Sequence, residues 1–449
     1  MYTLPTPIIE FMTVLKSAGH QVYVVGGAVR ELILGKEITD WDFTTNATPE
    51  QIISLFPDSF YHNTYGTVTV KWPQQSESSQ LLEITPYRVE GTYSNSRHPD
   101  EIRWAKTLEE DLSRRDFTIG AMAYDGESVI DPYGGQKDLD ARIIRAVGEP
   151  DMRFGEDALR MLRAVRFSSQ LACVIEPATL ESIKKHASSI QNISYERIRD
   201  EFFKILSAPH PAEGILFLKN TNLLKYILPE LDVCFDVSQK SPNRHHIYDV
   251  GTHLVKSLGF CESTNVITRF ATLIHDIGKV PTYHKDADGQ ITFYNHEVAG
   301  ARMASDIADR FRLSKQEKEF LVMLVAQHQF VVSEEMTDNA LRRFIRNVGK
   351  ENLDEMFALR HADRQGGAAS ETSWRTELFK KRVAELLIEP FTVKDLKIDG
   401  NDVMHVLQIK PSRQVGDILD GIFEKVIQKE LVNEREVLLS HLNSVKLVK

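Results

Sequence analysis

No apolar run in this 449-residue chain approaches the roughly 20 residues that a helix needs to span a bilayer, so a helical membrane protein is not expected. The opening residues, Met1 to Pro7, lack a basic stretch followed by an apolar one, so no secretory leader is expected either. Cysteine is scarce. Cys173, Cys234 and Cys261 are an odd number and lie far apart, which argues against a disulfide framework or a zinc knuckle and fits a reducing cytoplasm. Internal repeats and low-complexity segments are also missing. Excess positive charge is absent too, with a net charge of −10, which counts against a nucleic-acid partner unless basic residues gather locally. They do gather: Arg142, Arg145, Arg153, Arg160, Arg163 and Arg166 fall in one stretch with no lysine, and arginine suits planar contacts with phosphates and base edges. The alternative for that stretch is a solvated basic helix face. With 42% hydrophobic and 26% charged residues, the chain reads as globular, and its length predicts roughly two to four domains.

The most informative stretch runs from Val25 to Phe43. Val22 to Val25 reads as a buried strand, followed by Gly26 and Gly27, where a side chain would obstruct a close ligand. Ala28 to Leu34 reads as a helix ended by Gly35. Ile38 to Phe43 reads as a second short strand carrying Asp40 and Asp42, whose i, i+2 spacing aims both carboxylates to one side. Two such acids repel unless a cation lies between them, and hard oxygen ligands at this spacing suit Mg²⁺ with phosphate oxygens completing its shell. Gly27 and Arg30, one strand earlier, provide main-chain N–H groups and a guanidinium for phosphate. The combination points to metal-dependent phosphoryl or nucleotidyl transfer. The competing reading is a tight turn followed by two solvated acids.

Around this stretch, residues 8–18 show helical spacing and Thr48-Pro49-Glu50 starts a short helix. Val68 to Trp72 and Leu81 to Thr85 read as paired strands joined by a polar hairpin, Pro73 to Gln80. Glu83 on the second of these is either a third site carboxylate or an exposed strand residue. Residues 91–110 read as a mobile loop near the site. Arg114-Arg115-Asp116-Phe117 offers two arginines and an acid for a triphosphate or a ribose hydroxyl. Asp131 to Leu139 reads as a Gly-Gly turn between strand and helix. From about 142 onward strand signals nearly vanish and helices continue to the end. The expected fold class is α+β, a mixed sheet with helices followed by a long all-α part.

Two further constellations carry chemistry. Glu156-Asp157-x-x-Arg160-x-x-Arg163-x-x-Arg166 reads as a helix with Asp157, Arg160 and Arg163 on one face. An aspartate accepts from the exocyclic amine of C or A while an arginine donates beside it, so the pair matches C and A and mismatches U and G. An intrahelical ion pair is the simpler alternative, but it leaves unexplained why arginine recurs at every third position. The second set is His253, His275-Asp276, His296, His328 and Asp363 on successive helices, residue types that converge readily on a divalent metal.

With these motifs in view, nearly the whole chain resembles the class II CCA-adding enzymes, tRNA nucleotidyltransferases of the polymerase-β superfamily. The resemblance implies a nucleotidyltransferase head (1–140), a helical neck with the nucleotide template (141–240), an HD domain (241–368) and a helical tail (369–449). It implies Asp40 and Asp42 as catalytic carboxylates that hold Mg²⁺, and strand pairing offers Glu83 as a third beside them. Gly27, Arg30, Arg115, Asp116, Asp157, Arg160, Arg163 and Arg166 would bind nucleotide. His253, His275, Asp276 and Asp363 look like the HD metal set, for a second divalent ion (Mg²⁺, Mn²⁺ or Ni²⁺) and a phosphohydrolase activity of its own. The implied partners are CTP, ATP and the tRNA 3′ end, in the cytoplasm. Asp131 to Leu139 resembles the family's spring-like motif, and Lys397 to Asp402 its Ile-Asn-Gly-x-Asp segment. Two positions depart from the family pattern: Gly120 stands where Asn is usual, and Trp41 stands between the two aspartates. An A-adding-only enzyme and a bacterial poly(A) polymerase share most of these motifs. A rival of another class is an HD phosphohydrolase with a non-catalytic RNA-binding N-terminal half.

Overall fold

The computed structural model describes residues 2–62, 66–73, 79–90, 102–239, 248–330, 336–367, 374–388, 393–428 and 430–446. The N-terminal part is built on a seven-stranded mixed sheet. Its first five strands are β1 (Val22–Val25), β2 (Asp42–Thr45), β3 (Ser59–His62), β4 (Thr67–Pro73) and β5 (Ser79–Pro86). The spatial order is β3-β4-β5-β2-β1, continued by the short strands Ala123–Tyr124 and Val129–Ile130. β2 and β5 run parallel and every other neighbouring pair is antiparallel.

Local chemistry accounts for the elements on this sheet. The helix Thr6–Ser17 buries Ile8, Phe11, Met12 and Leu15 at helical spacing. Phe11 packs on Phe43, Phe56 and Trp72 with ring centroids 4.7, 4.8 and 5.4 Å away. Thr48 and Gln51 form a capping box for the helix Pro49–Leu55, with proline at its first position. Trp41 is buried and stacks on Phe43, so the unusual residue between the aspartates is a core anchor.

Two expectations need correcting. The second strand begins at Asp42, not Ile38, so Asp40 precedes the ladder. The alternation still reaches back to it. Asp40 and Asp42 are exposed while Trp41 and Phe43 are buried, and the Trp41 carbonyl accepts from the Glu83 N–H at 3.3 Å. The second correction concerns residues 91–110. Residues 91–101 lie outside the described ones, but Ile102–Trp104 is a strand paired with Arg88–Glu90, and Leu108–Ser113 is a helix with a Thr107/Glu110 capping box. Polar composition concealed a cap signal there.

Beyond residue 142 the described chain is almost entirely helical. One apolar core runs from Phe117 to Leu386, and a separate small core holds the tail from Leu396 to Leu442. In the Asp131 to Leu139 segment the turn is Asp131 to Gly134, after the strand Val129–Ile130, and the rest belongs to the helix Gly135–Asp140. Asp131 accepts from the N–H groups of Gly135 and Gln136 at 2.7 and 2.9 Å. A Cβ on Gly135 would collide with the Thr118 carbonyl, so glycine is required by the close approach. In the tail, Asp399 caps the helix Gly400–Leu407 through the N–H groups of Asn401 and Asp402, so the Lys397 to Asp402 segment is a helix start. No described helix is long and apolar enough to cross a membrane.

Candidate functional site

β1 ends at Val25, and Gly26 then turns the chain with φ +66°. A Cβ at Gly26 would lie 3.0 Å from Arg115 Nη1 and 3.9 Å from Asp42 Oδ2, so glycine is what lets these two groups approach the turn. The helix Gly27–Ile33 follows, and the Cβ direction of Gly27 faces Arg30 Nη2 at 3.6 Å. Across the sheet Asp42 pairs in parallel register with Glu83, which brings the third carboxylate to the same edge. Surrounding protein takes part of the water from the Asp42 carboxyl, although the residue is exposed, and pushes it above its ordinary value; Glu83 and Asp40 push it further the same way, and Arg115 opposes them. Asp40 and Glu83 are exposed, and the three carboxylates do not close into a tight ligand group of their own. The site therefore fits a cation that retains water and phosphate oxygens, as Mg²⁺ does.

A residue that motif reading passed over supports this edge. Asp111, fully buried, accepts from Arg114 Nη2 at 2.8 Å, from Arg115 Nη2 at 3.3 Å and from the Arg88 N–H at 3.3 Å. Burial alone would raise its carboxyl, but Arg114 and Arg115 outweigh this and hold it below the ordinary value. In sequence Asp111 is one of three acids in a first helical turn, the ordinary complement to a helix dipole. Its burial is what separates it from the other two.

Three of the predicted nucleotide-binding arginines meet at one ring. The guanidinium carbons of Arg30, Arg163 and Arg166 lie 5.2, 5.7 and 4.2 Å from the centroid of Phe167. Each also has an acid: Glu31 for Arg30, Asp116 for Arg163 at 2.6 Å, and Glu201 for Arg166 at 3.1 Å. Burial would raise the Asp116 carboxyl, yet Arg163 holds it low. The other Asp116 oxygen accepts from the Phe117 N–H, and the Cβ direction of Gly120 points toward that oxygen from 3.8 Å. With glycine where asparagine is usual, no side chain crowds Asp116 from that position.

The base-reading segment departs from its expected form. It is two helices, Pro150–Glu156 and Leu159–Leu171, with Asp157 extended between them at φ −142° and ψ 108°. Asp157 thus sits at a helix junction and not on the face of one helix. Its Oδ1 accepts from the Leu159 N–H at 3.0 Å, and its Oδ2 accepts from Arg197 Nη2 at 2.7 Å. Arg160 is buried, paired with Glu156, and donates to the carbonyls of Arg153 and Arg114 at 3.2 Å each. The bond to Arg114 ties this helix to the Arg114-Arg115-Asp116 segment of the head. Arg197 is a second residue the motifs did not reveal, because it comes from the later helix Tyr195–Leu206.

The histidine set assembles deep in the helical part. His253 lies on Val250–Gly259, Asp363 on Leu353–Gly366, and His275 caps Val266–Ile274. His253 Nε2 and His275 Nε2 are 3.3 Å apart, and they lie 3.2 and 3.4 Å from Asp363 Oδ1. Both also approach Asp276 Oδ2, at 3.5 and 3.4 Å. The four predicted metal residues are thus brought together. Burial disfavours a charged His275, but Asp276 and Asp363 outweigh it and push its pKa up to about 10. Burial would raise both aspartates, yet their cationic neighbours hold them far below the ordinary carboxylate range. The cluster demands positive charge, as a proton or as a metal ion.

The poly A polymerase head domain profile matches residues 22–145, the probable RNA and SrmB-binding site of polymerase A matches 174–235, and the putative tRNA nucleotidyltransferase domain 2 matches 296–442. Fold and head domain together define a nucleotidyltransferase. The chain is 30% identical over 437 residues to the CCA-adding enzyme of Ligilactobacillus salivarius, covering 97% of this chain and 94% of that one. It is 31% identical over 445 residues to the CCA-adding enzyme of Levilactobacillus brevis, covering 98% and 97%. The crystal structure of the Bacillus stearothermophilus CCA-adding enzyme in complex with CTP superposes with a TM-score of 0.70 at 26% identity, over 99% of both chains. This chain belongs to the class II CCA-adding enzymes, the tRNA nucleotidyltransferases anticipated from its motifs.

Proposed function

We propose that this chain adds C, C and A in turn to the 3′ end of tRNA from CTP and ATP, with its own side chains in place of a nucleic-acid template. One observation carries the reading: the same Arg114-Arg115-Asp116 segment sets Arg115 beside Asp42 and Gly26 at the carboxylate edge and holds Arg160 through the Arg114 carbonyl. A group that reads the base and a group that faces the reacting phosphate are thereby joined through one short piece of chain.

Asp40 and Asp42, with Glu83 beside them, would hold Mg²⁺, which when bound neutralises the triphosphate and favours ionisation of the tRNA 3′-hydroxyl. Gly27 and Arg30 receive the phosphates, and Arg163 and Arg166 add charge around Phe167. Arg115 faces the reacting phosphate, and Asp116 beside it fixes the ribose end. Asp157 and Arg160 read the donor–acceptor edge shared by C and A. To do so they exchange Arg197 and Glu156 for the base. Burial of a mismatched U or G would leave both unpaired, which is how a polar site rejects the wrong partner.

The division into head (1–140), neck (141–240), HD domain (241–368) and tail (369–449) belongs to the same reading, as does a cytoplasmic location. His253, His275, Asp276 and Asp363 form the metal seat of a phosphohydrolase acting on 2′,3′-cyclic phosphates or nucleotides. The deciding experiment incubates tRNAs ending before, within and after CCA with CTP and ATP supplied separately. Ordered incorporation of C, C and A is expected. Addition of A alone to a CC end would make this an A-adding enzyme, and long A tails would make it a poly(A) polymerase.

A further inference from the structure

We propose, on the reading of this chain as a tRNA nucleotidyltransferase, that Trp104 on the head is a stacking platform for an unpaired base at the 3′ end of the tRNA. Its partner is the primer end and not the incoming nucleotide.

Trp104 ends the strand Ile102–Trp104, and 48% of its surface is exposed. Alternation accounts for the outward turn. Ala105, next in the chain, packs on the small core of Val25, Tyr87, Leu108 and Leu112, which leaves Trp104 to the other side. The indole is nevertheless held. Its six-membered ring lies on Gly66, where a Cβ would come within 2.3 Å of Cη2 and 2.8 Å of Cζ3. Gly66 also has φ +76°, a backbone that L side chains rarely adopt. Glycine is what lets the ring rest on main chain with its remaining surface open. A large ring fixed in this way has little freedom left to lose when a ligand stacks on it.

The surroundings select the ligand. Arg88 is the register partner of Trp104, and directly opposite residues of an antiparallel pair share a face. Arg103 and Lys106 stand on either side of the indole in sequence, and both are exposed. Glu90 stands at the other end of the ribbon, opposite Ile102. Glu110 is engaged as a cap, accepting from the N–H groups of Lys106 and Thr107 at 2.7 and 3.4 Å. In a chain with a net charge of −10, cations gathered around an open aromatic ring suit alternating phosphates and flat bases. An unpaired RNA end presents its bases for stacking, whereas a duplex has already stacked them.

The platform is joined to the reacting carboxylates. The Arg88 N–H donates to Asp111 Oδ1 at 3.3 Å, and Arg115 donates to Asp111 Oδ2 at 3.3 Å. Arg115 and Asp42 both border Gly26. Thr44, which shares a sheet face with Asp42, has its Oγ1 3.4 Å from Asp111 Oδ2. Along the main chain, Ala105 donates to the Tyr87 carbonyl at 2.8 Å, and Tyr87 donates to the Thr45 carbonyl at 2.7 Å. Thr45 ends β2, about 10 Å along the strand from Asp42. A primer gripped at Trp104 is thereby kept in a fixed relation to the site of transfer. Stacking accepts any base, which suits a grip on an end whose sequence changes with each addition.

The test follows tryptophan fluorescence of the full chain as RNA is added without nucleotides. The RNAs are a tRNA ending in its first unpaired nucleotide, a tRNA ending in CC, and an acceptor stem with a blunt end. Quenching by the first two and not by the blunt stem is expected, and Trp104→Phe should remove most of it. In CTP incorporation, Trp104→Leu keeps apolar cover on Gly66 without a π face and should raise KM for tRNA about 10-fold, with KM for CTP unchanged. Trp104→Phe, which still stacks, should stay within about 3-fold of the unaltered chain. An unchanged tRNA KM in Trp104→Leu, undiminished quenching in Trp104→Phe, or equal quenching by the blunt stem would each overturn the platform. Should Trp104→Leu not fold, the fluorescence of Trp104→Phe carries the test. If the unaltered chain incorporates neither CTP nor ATP, the nucleotidyltransferase reading fails, and the quenching alone decides whether Trp104 meets an unpaired base.

Discussion

The two charged centres of this molecule are built in opposite ways. The head carboxylates stand on, or just before, the central strands β2 and β5, with Asp40, Asp42 and Glu83 exposed and no tight ligand group among them. The histidine–aspartate centre is buried, with ring nitrogens and carboxylate oxygens already within 3.2 to 3.5 Å of one another. The difference teaches what each site receives. Exposed carboxylates leave room for a nucleotide beside them, whereas the closed cluster already brings its own ring nitrogens and carboxylate oxygens together beside a small cavity.

Four measurements break or sharpen this contrast. The largest effect is expected for Asp42→Ala, which should lower CTP and ATP incorporation about 1000-fold, or ~4 kcal/mol of barrier, while metal content of the helical centre stays constant. Retained incorporation would leave the head as a binding module. Next, His275→Ala in metal-free protein removes the cation between Asp276 and Asp363, and should cost on the order of 3 kcal/mol in denaturant unfolding while CCA addition persists. Unchanged stability would mean that these carboxylates need no buried partner. Third, Arg160→Ala should lower discrimination against UTP and GTP by about 10- to 100-fold, or ~1–3 kcal/mol, in single-nucleotide competition. Unaltered selectivity would remove Arg160 from base reading.

The smallest effect concerns pH. Asp111 and Asp116 are both held below their ordinary value of 3.8 by arginines that outweigh their burial. Depressed carboxyls contribute stability that is complete above about pH 4 and lost as pH falls through their folded values. Thermal midpoints should therefore decline on acidification below pH 4, and Asp111→Asn should flatten that decline. Equal slopes in both proteins would show that Asp111 does not hold Arg115 by charge.

Much of the head was legible because its signals are local. A strand, two glycines and alternating acids depend on residues within 20 positions, and the capping box at Thr48 depends on four. The break at Asp157 was overlooked: Gly155 and Asp157, whose Oδ1 accepts from the Leu159 N–H, are stop and cap signals, but apolar residues and arginines at helical spacing on both sides masked them. Asp111 looked like its two acidic neighbours until burial distinguished it. Arg197 meets Asp157 from 40 positions away, and no local pattern predicts that pairing.

By itself, the sequence determined which groups this protein has to work with: carboxylates and arginines gathered in the first half, imidazoles and aspartates on the later helices. It also placed Gly26 and Gly135 where main chain or charged groups approach too closely for a Cβ. Only the tertiary structure decided which of these groups meet. Arg115 and Asp42 both border Gly26, three arginines share Phe167, and Asp276 stands between two pairs of histidines because packed helices and sheet register bring distant residues together. Side-chain type is a local property, whereas the pairing of charges is settled by the burial of apolar faces elsewhere in the chain.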